Sequence, residues 1–428
     1  MSRYSLLLVL LVGIFSIFNA EGEDSSSFRY VGGDISLLPE YEGAGSQYKN
    51  LSGEPINDVL KFCYDEGMNC MRVRLFVNPQ DYTGEDKDPN ACQDLDYIIP
   101  LCRRIKNEGF SLILDFHYSD TWADPSKQWT PKAWEGLSDQ ELYQKIYDYT
   151  KECLETLKAN EIIPDFIQPG NEISYGMLWG PAGTNNPLKV YTDNDANWER
   201  FGKLLDNAIL ACREICPEAG IIIHNERIAN LSVLLGFYKR MKDMNIDYDI
   251  IGLSYYPYFH GDIRVLNNAL SALEIQFASK NIMIVETGYA YAWEVPGTDQ
   301  KVDYPYTEDG QAQFAKELVE TLLKYKKCNG LLWWWFEYNA FGSSLSGWYN
   351  APLFDSRTGK VTKAFAEICS FGTGHNSGSG IKPYLIDDEK GYRWFDLQGR
   401  PIPYPSAPGL YIRSGYGETT KIIVRRSE

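Results

Sequence analysis

Two glutamates, Glu172 and Glu286, each end an apolar stretch and precede a loop-like one. Glu172 closes DFIQPGNE and Glu286 closes IMIVE. Breaking a glycosidic bond requires one carboxyl group that donates a proton and one ionised carboxylate that attacks carbon or activates water. Two acidic residues at separate strand ends therefore favour hydrolysis of a glycosidic bond, with Glu172 and Glu286 as the catalytic pair.

Three other carboxylates also end predicted strands, so position alone does not select the pair. Glu226 follows Asn225 as a second Asn-Glu dipeptide, and Asp115 and Glu337 lie at further strand ends. A carboxylate at such a position can instead hold an arginine or cap a helix. The choice stays open at this level.

Several neighbouring side chains suit a site of this kind. Arg72 and Arg74 are two residues apart on a predicted strand, so they share one face, and either could hold a carboxylate ionised. His117 ends another strand, and Tyr256 lies in a tyrosine-rich stretch. Three consecutive tryptophans, 333–335, cannot all point inward, so at least one must face the cleft or the helix layer.

Alternating strands and amphipathic helices must position these groups. Apolar runs predict eight strands, at 30–35, 71–77, 111–117, 165–172, 220–224, 249–256, 282–287 and 330–335. Helical periodicity lies between them, for example at 94–108, 142–159, 198–215 and 311–326. Eight such units predict an α/β protein with a (β/α)8 TIM barrel, in which catalytic groups lie at the C-terminal ends of the strands.

The composition restricts the class of partner. The chain has 428 residues, a net charge of -17 and an aromatic content of 14%. A surface this acidic repels nucleic acid, whereas aromatic side chains suit the apolar faces of a neutral sugar polymer. Four histidines and nine cysteines form no zinc-type spacing, so the sequence indicates no metal site and no cofactor.

The two ends of the chain predict export and a small appendage. Residues 1–20 are interpreted as a signal peptide, because Arg3 precedes a short apolar run that ends near Ala20. The protein is therefore expected in the periplasm, at the cell surface or outside the cell, and no membrane span is predicted. The catalytic barrel is predicted at 28–371, a Gly/Ser-rich linker at 372–380 and a small β-rich module at 381–428.

Seven segments together resemble the endo-β-1,4-galactanases of glycoside hydrolase family 53. They are GGDIS (32–36), MRVRLFVNP (71–79), LDFHYSDTWADP (114–125), PGNEISYGMLWG (169–180), GLSYYPYF (252–259), VETGYAY (285–291) and PLFDSRTG (352–359). The resemblance spans the predicted barrel, and the order and spacing of the segments make it specific. It implies a TIM barrel that cleaves β-1,4-galactan with retention of configuration.

The same resemblance implies roles for individual residues. Glu172 would be the general acid/base and Glu286 the nucleophile, and Asn171 would bind the sugar hydroxyl beside the reacting carbon. Arg72 or Arg74, His117 and Tyr256 would line the reactive subsite. Four further positions match residues near the cleft, namely Asp34, Trp122, Trp179 and Trp334.

Two loops of the predicted barrel bear on calcium binding. Related bacterial enzymes can hold calcium in long loops, but the corresponding loops at 288–309 and 337–351 are shorter here and show no run of oxygen ligands. Calcium is therefore not indicated.

Two alternatives to a galactanase remain. One is a relative that cleaves another β-1,4-glycan such as mannan or xylan, and the other is a non-catalytic carbohydrate-binding barrel. The enzyme is expected to act as a monomer on a polysaccharide.

Overall fold

Eight parallel strands form a closed barrel, which confirms the predicted TIM-barrel fold. The computed structural model describes residues 28–85, 87–184, 187–190, 194–292, 295, 302–338 and 351–373, and four strands between 393 and 424. The barrel strands are β1 (Tyr30–Asp34), β2 (Cys70–Leu75), β3 (Ser111–Phe116), β4 (Phe166–Pro169), β5 (Gly220–Asn225), β6 (Ile250–Tyr255), β7 (Asn281–Thr287) and β8 (Cys328–Trp333). Each pairs with its neighbours in sequence, and β8 closes the barrel on β1.

Helices cover the outside of the barrel. They are α1 (Leu38–Gly43), α2 (Val59–Asp65), α3 (Leu95–Asn107), α4 (Asp139–Ala159), α5 (Asp195–Ile215), α6 (Leu231–Asp243), α7 (Pro257–His260), α8 (Ile263–Gln276), α9 (Glu308–Leu322) and α10 (Ala364–Thr373). Helices α4, α5 and α9 begin three residues before the predicted starts. Their first turns are polar and are fixed by capping side chains, such as Ser138 in a reciprocal capping box with Glu141.

The strands meet closely where the functional residues begin. A Cβ atom on Gly32 of β1 would lie 1.8 Å from the carbonyl oxygen of Cys70 on β2. Only glycine permits this approach, which brings Asp34 opposite Arg72 in the strand register. The first predicted motif therefore contains glycine for a packing reason.

The C-terminal strands form a separate antiparallel sheet. They are β9 (Arg393–Phe395), β10 (Pro401–Ile402), β11 (Gly409–Gly415) and β12 (Glu418–Val424), in the order β10-β9-β11-β12. Helix α10 extends to Thr373, two residues into the segment predicted as a linker. The rest of that linker, the predicted signal peptide and much of the two loops considered for calcium lie outside the described residues.

Helices in the described ranges are all too short or too polar to cross a lipid bilayer.

Candidate active site

A cavity of about 460 Å³ opens where the barrel strands end. Six of the residues predicted for the site line it, namely Trp122, Asn171, Glu172, Tyr256, Glu286 and Trp334. Residues not predicted as ligands complete the wall, including Asp124, Glu226, Phe259 and Trp335. The C-terminal end of a TIM barrel is the usual position of an active site, so this cavity is the candidate.

The backbone turns sharply to present Glu172. Strand β4 ends at Pro169, earlier than predicted, because Gly170 adopts φ 110° and Glu172 itself is left-handed with φ 46° and ψ 53°. A left-handed conformation in a residue with a side chain costs roughly 1–3 kcal/mol and persists only where the surroundings enforce it. Here the Gln128 side chain donates to the Asn171 carbonyl at 2.7 Å. The strain coincides with the predicted acid.

Arg72 connects most of the predicted polar residues in one buried network. Its guanidinium contacts four oxygens: Asp34 Oδ2 at 3.3 Å, Asp115 Oδ2 at 2.8 Å, Asn171 Oδ1 at 2.8 Å and Glu286 Oε1 at 3.0 Å. Of the two arginines that could have held Glu286, the contact is made by Arg72. A fully buried guanidinium with this many acceptors fixes their positions relative to one another.

Asp34, Asp115 and His117 lie beneath the cavity rather than in its wall. All three are at most 1% exposed. His117 Nδ1 accepts the backbone N–H of Ala123, and its Nε2 lies 3.1 Å from Asp115 Oδ2. Burial raises the pKa of Asp115, but Arg72 and His117 outweigh it, so the pKa is lowered overall. Asp115 therefore stays ionised and supports the network from below.

Glu286 is held by groups that favour its charged form. Burial raises its pKa to about 7, while Arg72 and the hydroxyl of Tyr256, which donates to Oε2 at 3.2 Å, act in the opposite direction. Burial and the nearby charges of Glu286 and Glu226 raise the pKa of Glu172 well above its usual value. Arg72 lies beside Glu286, whereas no cation in the described part of the chain pairs with Glu172, so Glu286 ionises first and Glu172 keeps its proton.

Two side chains, His224 and Ser254, form a short hydrogen-bonded relay to Glu172. His224 Nδ1 accepts the backbone N–H of Glu172 at 3.2 Å. Burial lowers the pKa of His224 well below its usual value, so the ring is neutral. Since Nδ1 accepts the N–H of Glu172, the ring proton lies on Nε2, 2.8 Å from Ser254 Oγ. Ser254 in turn donates to Glu172 Oε1 at 2.7 Å. The relay orients the carboxyl group of Glu172 and fixes which oxygen faces the cavity.

The two carboxyl groups are close together. One ligand atom each from Glu172, His224 and Glu286 lie within 4.8 Å of one another. Carboxyl groups about 5 to 5.5 Å apart characterise retaining glycosidases, whereas inverting ones need about 6.5 to 9.5 Å. The three residues do not suit a metal, because both nitrogens of His224 already contact the chain.

Tryptophans form the apolar part of the cavity. Arg74 lies 4.7 Å from the ring centroid of Trp122, 5.0 Å from that of Trp334 and 5.3 Å from that of Trp335. Its guanidinium therefore supports the rings through cation–π contacts, and its Nε lies 3.3 Å from Asp34. Apolar ring faces beside a carboxylate pair suit the faces of sugar rings.

Trp179, which was predicted near the cleft, lies away from the cavity, and so does Trp333, the first of the three consecutive tryptophans. Trp179 is 1% exposed, donates its indole N–H to the Tyr175 carbonyl and packs against Trp129. Trp333 is buried and donates to the Ala351 carbonyl. Among the three consecutive tryptophans, the second and third line the cavity, and the first faces the helix layer.

The three other carboxylates at predicted strand ends have surroundings that differ from those of the catalytic pair. Asp115 and Glu337 are both fully buried, and Glu337 Oε1 accepts the backbone N–H of Leu37. Glu226 does line the cavity, but its Oε1 accepts the hydroxyl of Ser174. Sequence reasoning missed the Ser254–His224 relay, although Ser254 lies inside the GLSYYPYF segment.

Comparison with known proteins agrees with this geometry. The chain is similar to a probable arabinogalactan endo-β-1,4-galactanase A of Neosartorya fischeri, with 32% identity over 82% of this chain and 94% of that protein. It is similar to an arabinogalactan endo-β-1,4-galactanase of Cellvibrio japonicus, with 31% identity over 83% of this chain and 93% of that protein. Among solved structures, an Ignisphaera aggregans GH53 catalytic domain matches 81% of this chain and 97% of its own, with 29% identity and a TM-score of 0.68.

The family model described as Glycosyl hydrolase family 53 matches residues 30–368, which cover the whole barrel, and the chain therefore belongs to that family.

Proposed function

We propose that this protein is an endo-acting, retaining glycoside hydrolase that cleaves β-1,4-galactosidic bonds in galactan and in the type I arabinogalactan side chains of pectin. The observation that carries the proposal is the close pair of Glu172 and Glu286 at the mouth of a family 53 barrel, with Arg72 in contact with Glu286. The names of the relatives supply the substrate class.

In the first step, Glu286 attacks the anomeric carbon while Glu172 donates its proton to the glycosidic oxygen. The bond from carbon to the leaving sugar breaks, and a covalent ester between Glu286 and the sugar forms. Arg72 and Tyr256 keep Glu286 ionised before attack. The charge that Glu286 loses on bond formation leaves Glu172 free to ionise at lower pH.

In the second step, the ionised Glu172 removes a proton from water. The water oxygen attacks the anomeric carbon and displaces Glu286, which restores the configuration of the substrate. Both carboxyl groups return to their starting protonation states, and the chemistry uses side chains and water alone.

Asn171 is positioned to bind the hydroxyl beside the reacting carbon. Its Oδ1 accepts from Arg72 and its Nδ2 donates to the Ala123 carbonyl at 2.8 Å, which fixes the orientation of the amide. The second proton of Nδ2 can point to a sugar hydroxyl. Such a bond can strengthen as the sugar flattens toward the transition state.

Removal of the Ser254 hydroxyl gives a test of the relay. In Ser254→Ala, Glu172 loses a donor that favours its ionised form, so its pKa rises further and the basic limb of the kcat–pH profile shifts to higher pH. Loss of one orienting hydrogen bond of about 1–1.5 kcal/mol lowers kcat roughly ten-fold. Rates measured across the pH range check both effects, and an unmoved basic limb would contradict the relay.

Two alternatives are weaker. Structures of xylanases share the fold at about 14% identity, which carries no substrate information. A non-catalytic carbohydrate-binding barrel does not require two carboxylates with different environments.

The apolar run near the N-terminus supports export to the periplasm, the cell surface or the outside of the cell. We propose that the protein acts there as a monomer on its polysaccharide.

A substrate panel tests the proposed function. The full chain is incubated with β-1,4-galactan, mannan, xylan and arabinan, and the products are sized by chromatography. We expect galacto-oligosaccharides of several lengths from galactan early in the reaction, because an endo enzyme cuts internal bonds. Hydrolysis of mannan or xylan with galactan intact would overturn the substrate assignment, and monosaccharide as the sole early product would overturn endo action.

A further inference from the structure

We infer that Glu226 and Phe259 form the subsite for the leaving-group sugar, with Glu226 accepting a hydroxyl of that sugar and Phe259 covering its apolar face. This inference deepens the proposed function and depends on it. Glu226 directly follows β5, and Phe259 lies in α7, which comes just after β6. Both line the same cavity as the catalytic pair.

Glu226 lies on the side of the cavity that the leaving sugar must occupy. Glu172 protonates the oxygen of the leaving sugar, so that sugar lies beside Glu172 and away from Glu286. Ser174, two residues after Glu172, donates to Glu226 Oε1 at 2.6 Å. This hydrogen bond fixes Glu226 next to the turn that carries the acid.

The carboxylate of Glu226 has unused hydrogen-bonding capacity. It is 8% exposed, and its Oε2 finds no hydrogen-bond donor within the described part of the chain. A buried acceptor without a donor is unfavourable, and a sugar hydroxyl entering the cavity would supply the missing donor. Burial also raises the pKa of Glu226 to about 7.

Phe259 supplies the apolar half of the subsite. Its side chain is 40% exposed although it lines the cavity and borders Tyr256 and Tyr258. Helix α7 packs against the turn Arg227–Ala229 that follows Glu226. An aromatic face and a carboxylate on adjoining loops match the two kinds of surface that a hexose presents. The tryptophans Trp122, Trp334 and Trp335 remain for sugars on the other side of the cleaved bond.

The test compares two substrates that differ only in the leaving group. Galactotetraose carries a leaving sugar with hydroxyl groups, whereas a nitrophenyl β-1,4-galactobioside carries a leaving group without them. In Glu226→Ala, we expect kcat/KM for galactotetraose to fall by about 10- to 100-fold, as for a hydrogen bond to a charged group, and at least ten-fold more than kcat/KM for the nitrophenyl substrate. In Phe259→Ala, both values should fall together, because a nitrophenyl ring can also stack.

Controls separate binding from structure. Glu226→Gln keeps an acceptor oxygen, so the ratio of the two kcat/KM values should fall less than in the alanine variant, and this variant serves if alanine prevents folding. Transfer of galactosyl units to added galactobiose, measured as longer products, should also fall in Glu226→Ala. Ratios within two-fold of the parent in both Glu226 variants would overturn the inference. Galactan hydrolysis by the parent protein separately tests the proposed function.

Discussion

Replacement of Glu286 by alanine is expected to lower kcat on galactan by roughly 10⁴-fold or more, as for other enzymes that lose a nucleophile. Among the described residues, no other carboxylate is placed to take over. Glu172 is on the leaving-group side, and Asp115 is buried beneath Arg72. A rate loss of this size corresponds to about 5.5 kcal/mol of transition-state stabilisation.

The same variant should fold at least as well as the parent. Removing Glu286 leaves Arg72 and Arg74 facing Asp34 and Asp115, so the buried charges balance. We therefore expect no fall in the unfolding temperature at neutral pH, as is common when a catalytic group is removed. A large fall would show that Glu286 is chiefly structural, and the activity loss would then say little about chemistry.

Azide distinguishes the nucleophile from the acid. In Glu286→Ala, azide can enter the space left by the carboxylate and attack an activated nitrophenyl galactobioside from that face. The product should be an α-galactosyl azide, whose anomeric configuration is read by NMR. Glu199→Ala, which changes an exposed surface glutamate paired with Lys203, is the matched control and should keep parental activity. A β-azide from Glu286→Ala would reverse the two roles.

The barrel was predictable because its signals are local. Several of the eight strands are near-continuous apolar runs, which are typical of covered parallel strands, and the helical periodicity lies between them. Strand ends were less predictable. Strand β4 stops at Pro169 and β8 at Trp333, because Glu172 and Trp335 adopt left-handed conformations that sequence patterns do not encode.

The site was predictable only in part. Strand position placed Glu172 and Glu286 at one end of the barrel, and the motif contexts separated them from Glu226 and Glu337. The depth of each side chain depends on tertiary packing. His117 was expected to line the subsite but lies beneath the cavity.

Local sequence patterns do not predict the hydrogen bonds of Ser254 and Glu226. Ser254 and Glu226 hydrogen-bond to Glu172 and Ser174, which lie in the turn after β4 and are far away in sequence. A serine in a strand or a second Asn-Glu dipeptide carries no signal of such a partner. Trp179 shows the reverse case, because its motif suggested the cleft but its indole hydrogen-bonds within its own turn.

Replacement of Glu172 by alanine should produce a different signature from that of Glu286. Loss of a general acid typically costs 10² to 10⁴-fold, and the cost depends on how much the leaving group needs a proton. We therefore expect a large fall in kcat on galactan, whose leaving sugar is a poor leaving group, and a much smaller fall in the first step with a dinitrophenyl galactobioside. Stopped-flow release of dinitrophenol should then show a burst, because hydrolysis of the intermediate also loses its base.

The pH profile and the azide product of Glu172→Ala distinguish the role of Glu172 from that of Glu226. The basic limb of the kcat–pH profile reports ionisation of the acid, whose pKa is raised by burial and by the charge of Glu286, so this limb should disappear in Glu172→Ala. Azide should attack the covalent intermediate from the face that Glu172 vacates and give a β-galactosyl azide, the opposite anomer to that from Glu286→Ala. If the basic limb persists and azide leaves the rate unchanged, Glu226 becomes the candidate acid. Glu226→Ala would then have to lose the same limb, because Glu226 is the other carboxylate with a raised pKa among the described residues of the cavity wall on this side.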